Sequence, residues 1–295
     1  MDFDQLQSFV EVARLKNFSR AAGKLGLTQP AISTQVRQLE DELGVRLFDR
    51  IGKRAFLTQP GVLLLEHAGK ILNVRKEAQE ALRDLLPSPP GHLTIGATEA
   101  SCLYLLPKVF AAFKKKNAAA KVTVYRNFTA KIVTKLLEDS VDLGFVSLPL
   151  DVAVLETILL YREPIEVAVP PDHPLASSPG VTAEEIARYP WIFPKASRTR
   201  HLLDEMFRRI RVPVHVTMEL SGVETIKKFI GIGMGISLLS RSYAAAEVKS
   251  GTLKLVPLLE PRLERQLGLA YRTDRYLSRS SRAFIELARK HFARL

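Results

Sequence analysis

Apolar residues recur with helical spacing over the first ninety positions, and in short blocks thereafter. Leu6, Phe9, Val10 and Ala13 follow i, i+3, i+4, i+7 and predict a first helix over residues 4–15 that buries one face. Phe18 and Ser19 read as an apolar lead-in and an N-cap for a short second helix carrying Ala21, Ala22 and Leu25 and closed by Gly26. Thr28 caps a third helix, with Pro30 in its first turn, where a missing N–H costs nothing. Its apolar residues Ile32, Val36, Leu39 and Leu43 share one side, so Gln29, Pro30, Ser33, Thr34 and Arg37 face outward. After Gly44, the runs 46–48 and 51–57 predict two short strands around a basic turn holding Arg50, Lys53 and Arg54, the shape of a wing.

Thr58, Pro60 and Gly61 precede a long helix to about Leu86, in which Leu64, Ala68, Ile71, Arg75, Ala78, Leu82 and Leu85 follow heptad spacing and predict a seam for a partner helix. Pro87, Ser88, Pro89, Pro90 and Gly91 cannot continue a helix and mark a hinge. Beyond it the texture alternates between strand and helix: 93–95, 102–116, 122–125, 132–138 and 143–146 read as βαβαβ, hence a parallel sheet with helices on its faces. A similar set follows from Val167–Val169 to Ile236–Leu239. The chain therefore reads as a helical head with a wing at 1–58, a linker helix and hinge at 59–90, and an α/β domain of two lobes at 91–295.

Composition changes this picture little, with 46% apolar and 25% charged residues in 295. The net charge of +12 points to polyanions, but residues 1–90 hold 13 Lys and Arg against 11 Asp and Glu, so +2 belongs to the head and +10 to the remainder. Local charge is more telling, because nine basic residues face four acidic ones from Arg14 to Arg54. The single cysteine, Cys102, excludes an internal disulfide and reads as a small buried residue, with a redox-sensing thiol near a helix N-terminus as the alternative. Six dispersed histidines have no paired spacing, so no metal is expected. The N-terminus lacks a secretory pattern and no run reaches roughly 18 uncharged apolar residues, so the expected place is the cytoplasm and no membrane is expected as a partner.

The stretches Phe18–Ala22, Leu27–Ser33, Leu39–Arg50, Leu57–Gly61, Val141–Phe145 and Gly231–Ile236 closely resemble the LysR-type transcriptional regulators. The resemblance runs over nearly the whole chain, departing at Thr34, where the family often has a longer side chain, and at Ser240, which replaces a frequent proline. It implies a winged helix-turn-helix, a dimerising linker helix and an effector domain like the periplasmic binding proteins. Its lobes would comprise about 91–162 with 266–295, and about 163–265. It also implies a homodimer or, commonly, a homotetramer on promoter DNA near RNA polymerase, switched by a small molecule between the lobes.

The outward side of the third helix suits a major groove: Gln29 for base readout, Ser33 for base or phosphate, Arg37 for the backbone, with Pro30, Thr34 and Arg20 beside them. Arg50, Lys53 and Arg54 suit phosphates or the flanking minor groove. In α/β sheets ligands gather at strand carboxyl ends, which nominates Thr98, Ser101, Thr129 and Ser147 in one lobe and Ser197, Arg198, Ser221 and Glu224 in the other. Hydroxyls and amides there suit a carboxylate or phosphate, although Glu99 and Glu224 leave an amine open. No catalytic set of side chains can be placed, so the chain reads as a regulator rather than an enzyme or a solute-binding protein on the same scaffold.

Overall fold

Asp2 accepts a hydrogen bond from the Gln5 amide at 2.7 Å while Gln5 Oε1 accepts from the Asp2 amide at 2.9 Å, a reciprocal cap that launches α1 (Phe3–Leu15). The computed structural model describes residues 1–51, 54–86, 91–195 and 197–294, without the side chains of residues 50 and 51. The chain divides into two compact units, Met1–Pro89 and Pro90–Leu295.

In the first unit Lys16, at φ 52°, reverses the chain within one residue, leaving Asn17 extended to cap α2 (Phe18–Leu25) on the Arg20 amide at 2.9 Å. The cap is thus Asn17 and not the expected Ser19, which is already inside the first turn. Thr28 caps α3 (Gln29–Leu43) and Gly44 ends it at φ 69°, a left-handed position that suits glycine. The wing is β1 (Phe48–Ile51) paired antiparallel with β2 (Arg54–Leu57), and α4 (Gln59–Asp84) follows. A side chain at Gly61 would put its Cβ 2.2 Å from the Leu47 carbonyl oxygen, so glycine lets α4 start hard against the wing.

Leu6, Phe9, Val12, Ile32, Val36, Leu39, Leu47 and Ala68 form the core of this unit. Ala68 is buried, Leu64 and Ile71 lean on the same core, and the Arg75 guanidinium lies 4.4 Å from the Phe3 ring centroid. The first half of the heptad seam is therefore taken by α1 of its own chain. Its end is open, with Leu82 67% and Leu85 81% exposed.

The second unit opens with β3 (His92–Ala97), a π-helical turn (Ser101–Leu105), α5 (Pro107–Lys116), β4 (Lys121–Arg126), α6 (Thr129–Leu137) and β5 (Leu143–Leu148). The single helix expected over 102–116 is broken at Pro107, whose ring cannot continue the turn before it. Strands β4, β3 and β5 are parallel in that order. The sheet does not stay parallel: β6 (Leu155–Val169) runs fifteen residues, β11 (Glu264–Arg272) lies antiparallel between it and β5, and α11 (Arg279–Phe292) covers this lobe.

The length of β6 makes the two lobes one sheet. Its residues to Pro164 pair with β11, whereas Ile165–Val169 pair with β9 (Ser237–Ser240) and β10 (Lys254–Val256). The second lobe adds α7 (Ala183–Ile186), the parallel pair β7 (Trp191–Pro194) and β8 (Val216–Leu220), α8 (Arg198–Ile210), α9 (Val223–Gly231) and α10 (Arg241–Ser250). Each lobe has its own core, around Phe113, Phe145 and Phe284 in the first and around Trp191, Leu203 and Phe207 in the second. Among the described residues no helix is long and apolar enough to cross a membrane.

Candidate DNA interface and interlobe cleft

The groove-facing side of α3 is set by what the other side buries. Ile32, Val36 and Leu39 are wholly buried, which leaves Gln29, Pro30, Thr34 and Arg37 exposed and Ser33 half-buried. Gln29 Nε2 donates to Ser33 Oγ at 2.8 Å, so the two expected readers of base edges are already one hydrogen-bonded pair. Arg20, on α2, is exposed, as is Arg54 at the start of β2. Lys53 and the Arg50 side chain lie outside the described residues.

Glu40 joins α3 to the wing. Its buried carboxylate accepts from the Leu47 amide at 2.7 Å, the Phe48 amide at 3.2 Å and Arg46 at 3.1 Å. Two backbone N–H groups that would otherwise be buried unpaired are satisfied by one side chain. Glu11 on α1 takes Arg14 at 2.5 Å and Lys24 of α2 at 3.0 Å. Burial pushes its carboxyl up, but these two cations outweigh that and hold it below the ordinary glutamate value.

In the second unit a cavity of about 1100 Å³ opens between the lobes. Thr98, Thr129, Ser147, Ser197, Arg198, Ser221 and Glu224 all line it, brought together from loops far apart in sequence. Ser101 does not. It lies in the π-helical turn, wholly buried, with Oγ 2.8 Å from Thr98 Oγ1 and hydrogen-bonded to the Tyr243 hydroxyl, so it positions Thr98 from behind instead of facing the cavity. Burial pushes the Tyr243 phenol up to about 12, against the pull of Ser101 and Thr98, so it remains neutral.

Two helices present uncapped N-termini to the cavity from opposite lobes. Phe128 at the start of α6 and Gly222 at the start of α9 make no side-chain cap, and the first residues of both helices line the cavity. Such N-termini carry unpaired N–H groups and a partial positive charge. Five Lys and Arg residues line the cavity against Glu99 and Glu224. Both acids are engaged: Glu99 with Arg126 at 3.3 Å, and Glu224 with the buried Lys227 at 2.7 Å. The field left over is positive.

Sequence reasoning missed Tyr243 and Arg265 on the cavity wall. A signal for Arg265 exists: Leu263, Arg265, Leu267 and Leu269 alternate, so a cation occupies an inward position of a strand. Cys102 is half-buried, and burial foremost, countered by Arg126, raises its thiol. Among the described residues no group of His, Cys, Asp and Glu could hold a metal.

Residues 3–62 match the family described as "Bacterial regulatory helix-turn-helix protein, lysR family", and residues 87–293 match the "LysR substrate binding domain". The HTH-type transcriptional regulator CfxR of Cupriavidus necator is 35% identical, over 94% of this chain and 87% of that protein. A probable RuBisCO transcriptional regulator of Trichormus variabilis is 31% identical, over 98% of this chain and 88% of its own length. Among solved structures, a full-length OxyR variant from Pseudomonas aeruginosa superposes with a TM-score of 0.75 at 26% identity, covering 99% of this chain and 94% of the other.

Proposed function

From the premise that this chain belongs to the LysR-type transcriptional regulators, DNA-binding proteins with an effector-binding domain, we propose that it is switched by a small anionic metabolite, a carboxylate or phosphate, held between the lobes. The observation that carries this reading is the state of the two cavity acids. Glu99 and Glu224 already have cationic partners, while Lys131, Lys195 and Arg198 line the same space and two helix N-termini point into it. An amine would meet cations and dipole ends of its own sign; an anion meets donors.

The chain acts as a homodimer through the exposed end of α4, and pairs of dimers form a tetramer on promoter DNA, in contact with RNA polymerase in the cytoplasm. Leu82, Leu85 and Leu86, exposed at the end of α4, give such a dimer an apolar seam. An effector with different affinities for two lobe arrangements shifts their balance, and with it the placement of the DNA heads. The work is done by binding rather than by catalysis.

The division of labour on DNA is tested by two substitutions in the full-length chain. Arg54→Ala should weaken binding to every duplex and flatten its salt dependence, since it removes a phosphate contact. Gln29→Ala should cost specific sites about 1–3 kcal/mol and leave random duplex unchanged. Equal losses on both kinds of duplex for both variants would refute the assignment.

A further inference from the structure

Arg265 is the most deeply buried cation on the cavity wall, only 7% exposed. It lies on β11 directly opposite Glu163 of β6, where β6 passes from one lobe to the other. Three contacts hold it. Nη2 is paired with Glu163, Ser242 Oγ lies 3.4 Å from the same nitrogen, and the guanidinium carbon sits 3.8 Å from the Tyr243 ring centroid. Glu163 also accepts from the Ser242 amide at 3.2 Å and hydroxyl at 2.9 Å, which ties it to the first turn of α10 in the second lobe.

The arrangement leaves the fork half used. Nε is buried and has no hydrogen-bond partner. The cavity is lined by Arg265 and not by Glu163, so a ligand meets the cation while its counter-ion stands behind. An unmet buried donor is costly, and a planar guanidinium whose orientation is already fixed loses little freedom on accepting an anion. Arg265 thus combines a place on the cavity wall with a buried donor that nothing in the described chain meets.

We propose that Arg265 anchors the anionic group of the effector and that, through Glu163 and Ser242, it couples occupation of the cleft to the strand crossing that joins the lobes. The inference rests on the cleft being the effector site. An acid group drawn to Arg265 competes with Glu163 for the guanidinium charge. Glu163 is bonded to α10, so the second lobe feels that competition at its attachment point. Arg198, at the start of α8, makes a separate rim contact for whatever the anchored molecule carries at its other end.

The test is equilibrium binding of citrate and of inorganic phosphate to the full-length chain, by calorimetry and thermal shift, with each probe at up to about 10 mM, since a single anchored anion is worth roughly a millimolar constant. Arg265→Met should weaken the better-bound probe at least about tenfold, on the order expected for a charged hydrogen bond, and Arg265→Lys should fall between it and the parent. Arg265→Met leaves Glu163 buried and alone, so the paired change Arg265→Met with Glu163→Gln is made as well; it should restore the unliganded melting temperature and leave anion binding lost. Glu163→Gln alone should bind severalfold tighter than the parent. Anion binding that survives both Arg265→Met variants, or that Glu163→Gln destroys as fully as they do, would overturn the anchor and leave the cleft standing. If neither probe binds the parent chain, the cleft reading and the anchor fall together.

Discussion

Replacing Glu40 tests whether the recognition helix and wing form one rigid unit. In Glu40→Ala the amides of Leu47 and Phe48 lose their acceptor inside the core, at about 1–3 kcal/mol each, so the head should lose about 2–6 kcal/mol. Glu40→Gln keeps a carbonyl oxygen in place and exchanges a charged acceptor for a neutral one, for about 1–2 kcal/mol. Arg46, whose side chain is 78% exposed, contributes little to its partner, and Arg46→Ala should cost about 1 kcal/mol at most. The only tryptophan, Trp191, lies in the second unit, so its fluorescence is silent for the head. Amide hydrogen exchange in α3 of the full-length chain is the readout, and a loss of about 3 kcal/mol accelerates the slowest amides roughly a hundredfold. Equal effects of Ala and Gln, or an Ala effect below about 1 kcal/mol, would show that the wing is held by its apolar contacts alone.

Leu82→Glu with Leu85→Glu should lower self-association by about a hundredfold or more, since each leucine covered by a partner contributes about 1.5–3 kcal/mol; an unchanged sedimentation profile would remove α4 from the interface. Cys102, its thiol raised by burial, should react with iodoacetamide at neutral pH at least about tenfold more slowly in the native chain than in denaturant, and equal rates would mean an accessible thiolate. Glu11 binds its proton less tightly in the folded head than in the unfolded chain. Its contribution is therefore complete above the ordinary value of 4.5 and lost as pH falls below it. Glu11→Gln should flatten acid unfolding of the head in that window, and an unaltered profile would show that Arg14 and Lys24 hold it too weakly to matter.

How much of this is legible in the sequence depends on the range of the forces involved. The head is nearly all local signal: a cap three residues before the amide it serves, a proline in a first turn, a glycine after the last. Even there the sequence points to Ser19 in place of Asn17, because Lys16 makes a left-handed reversal that composition does not announce. In the second unit strand ends are readable, and loops chosen for following them do meet in one cavity. Only Val167–Val169 of β6 is legible, since Arg162, Glu163, Pro164 and Glu166 break the apolar run that its distant partners β11, β9 and β10 make into a strand. Ser101 escapes the cavity because a π-helical turn, set by Pro107 downstream, turns its side chain inward. Arg265, Glu163 and Lys227 share one signature that periodicity alone does not exploit: a charge at the inward position of an otherwise apolar pattern, tolerated only with a partner of opposite charge.

If α3 reads duplex DNA and the cleft governs it, genomic DNA should reveal both at once. The measurement is selection of genomic fragments by the full-length chain against an excess of random duplex, over a salt series, with and without citrate. The expected result is a small enriched set carrying paired half-sites about one helical turn or a multiple apart, whose affinity or footprint changes with the anion. No enrichment over random duplex under any of these conditions would contradict it.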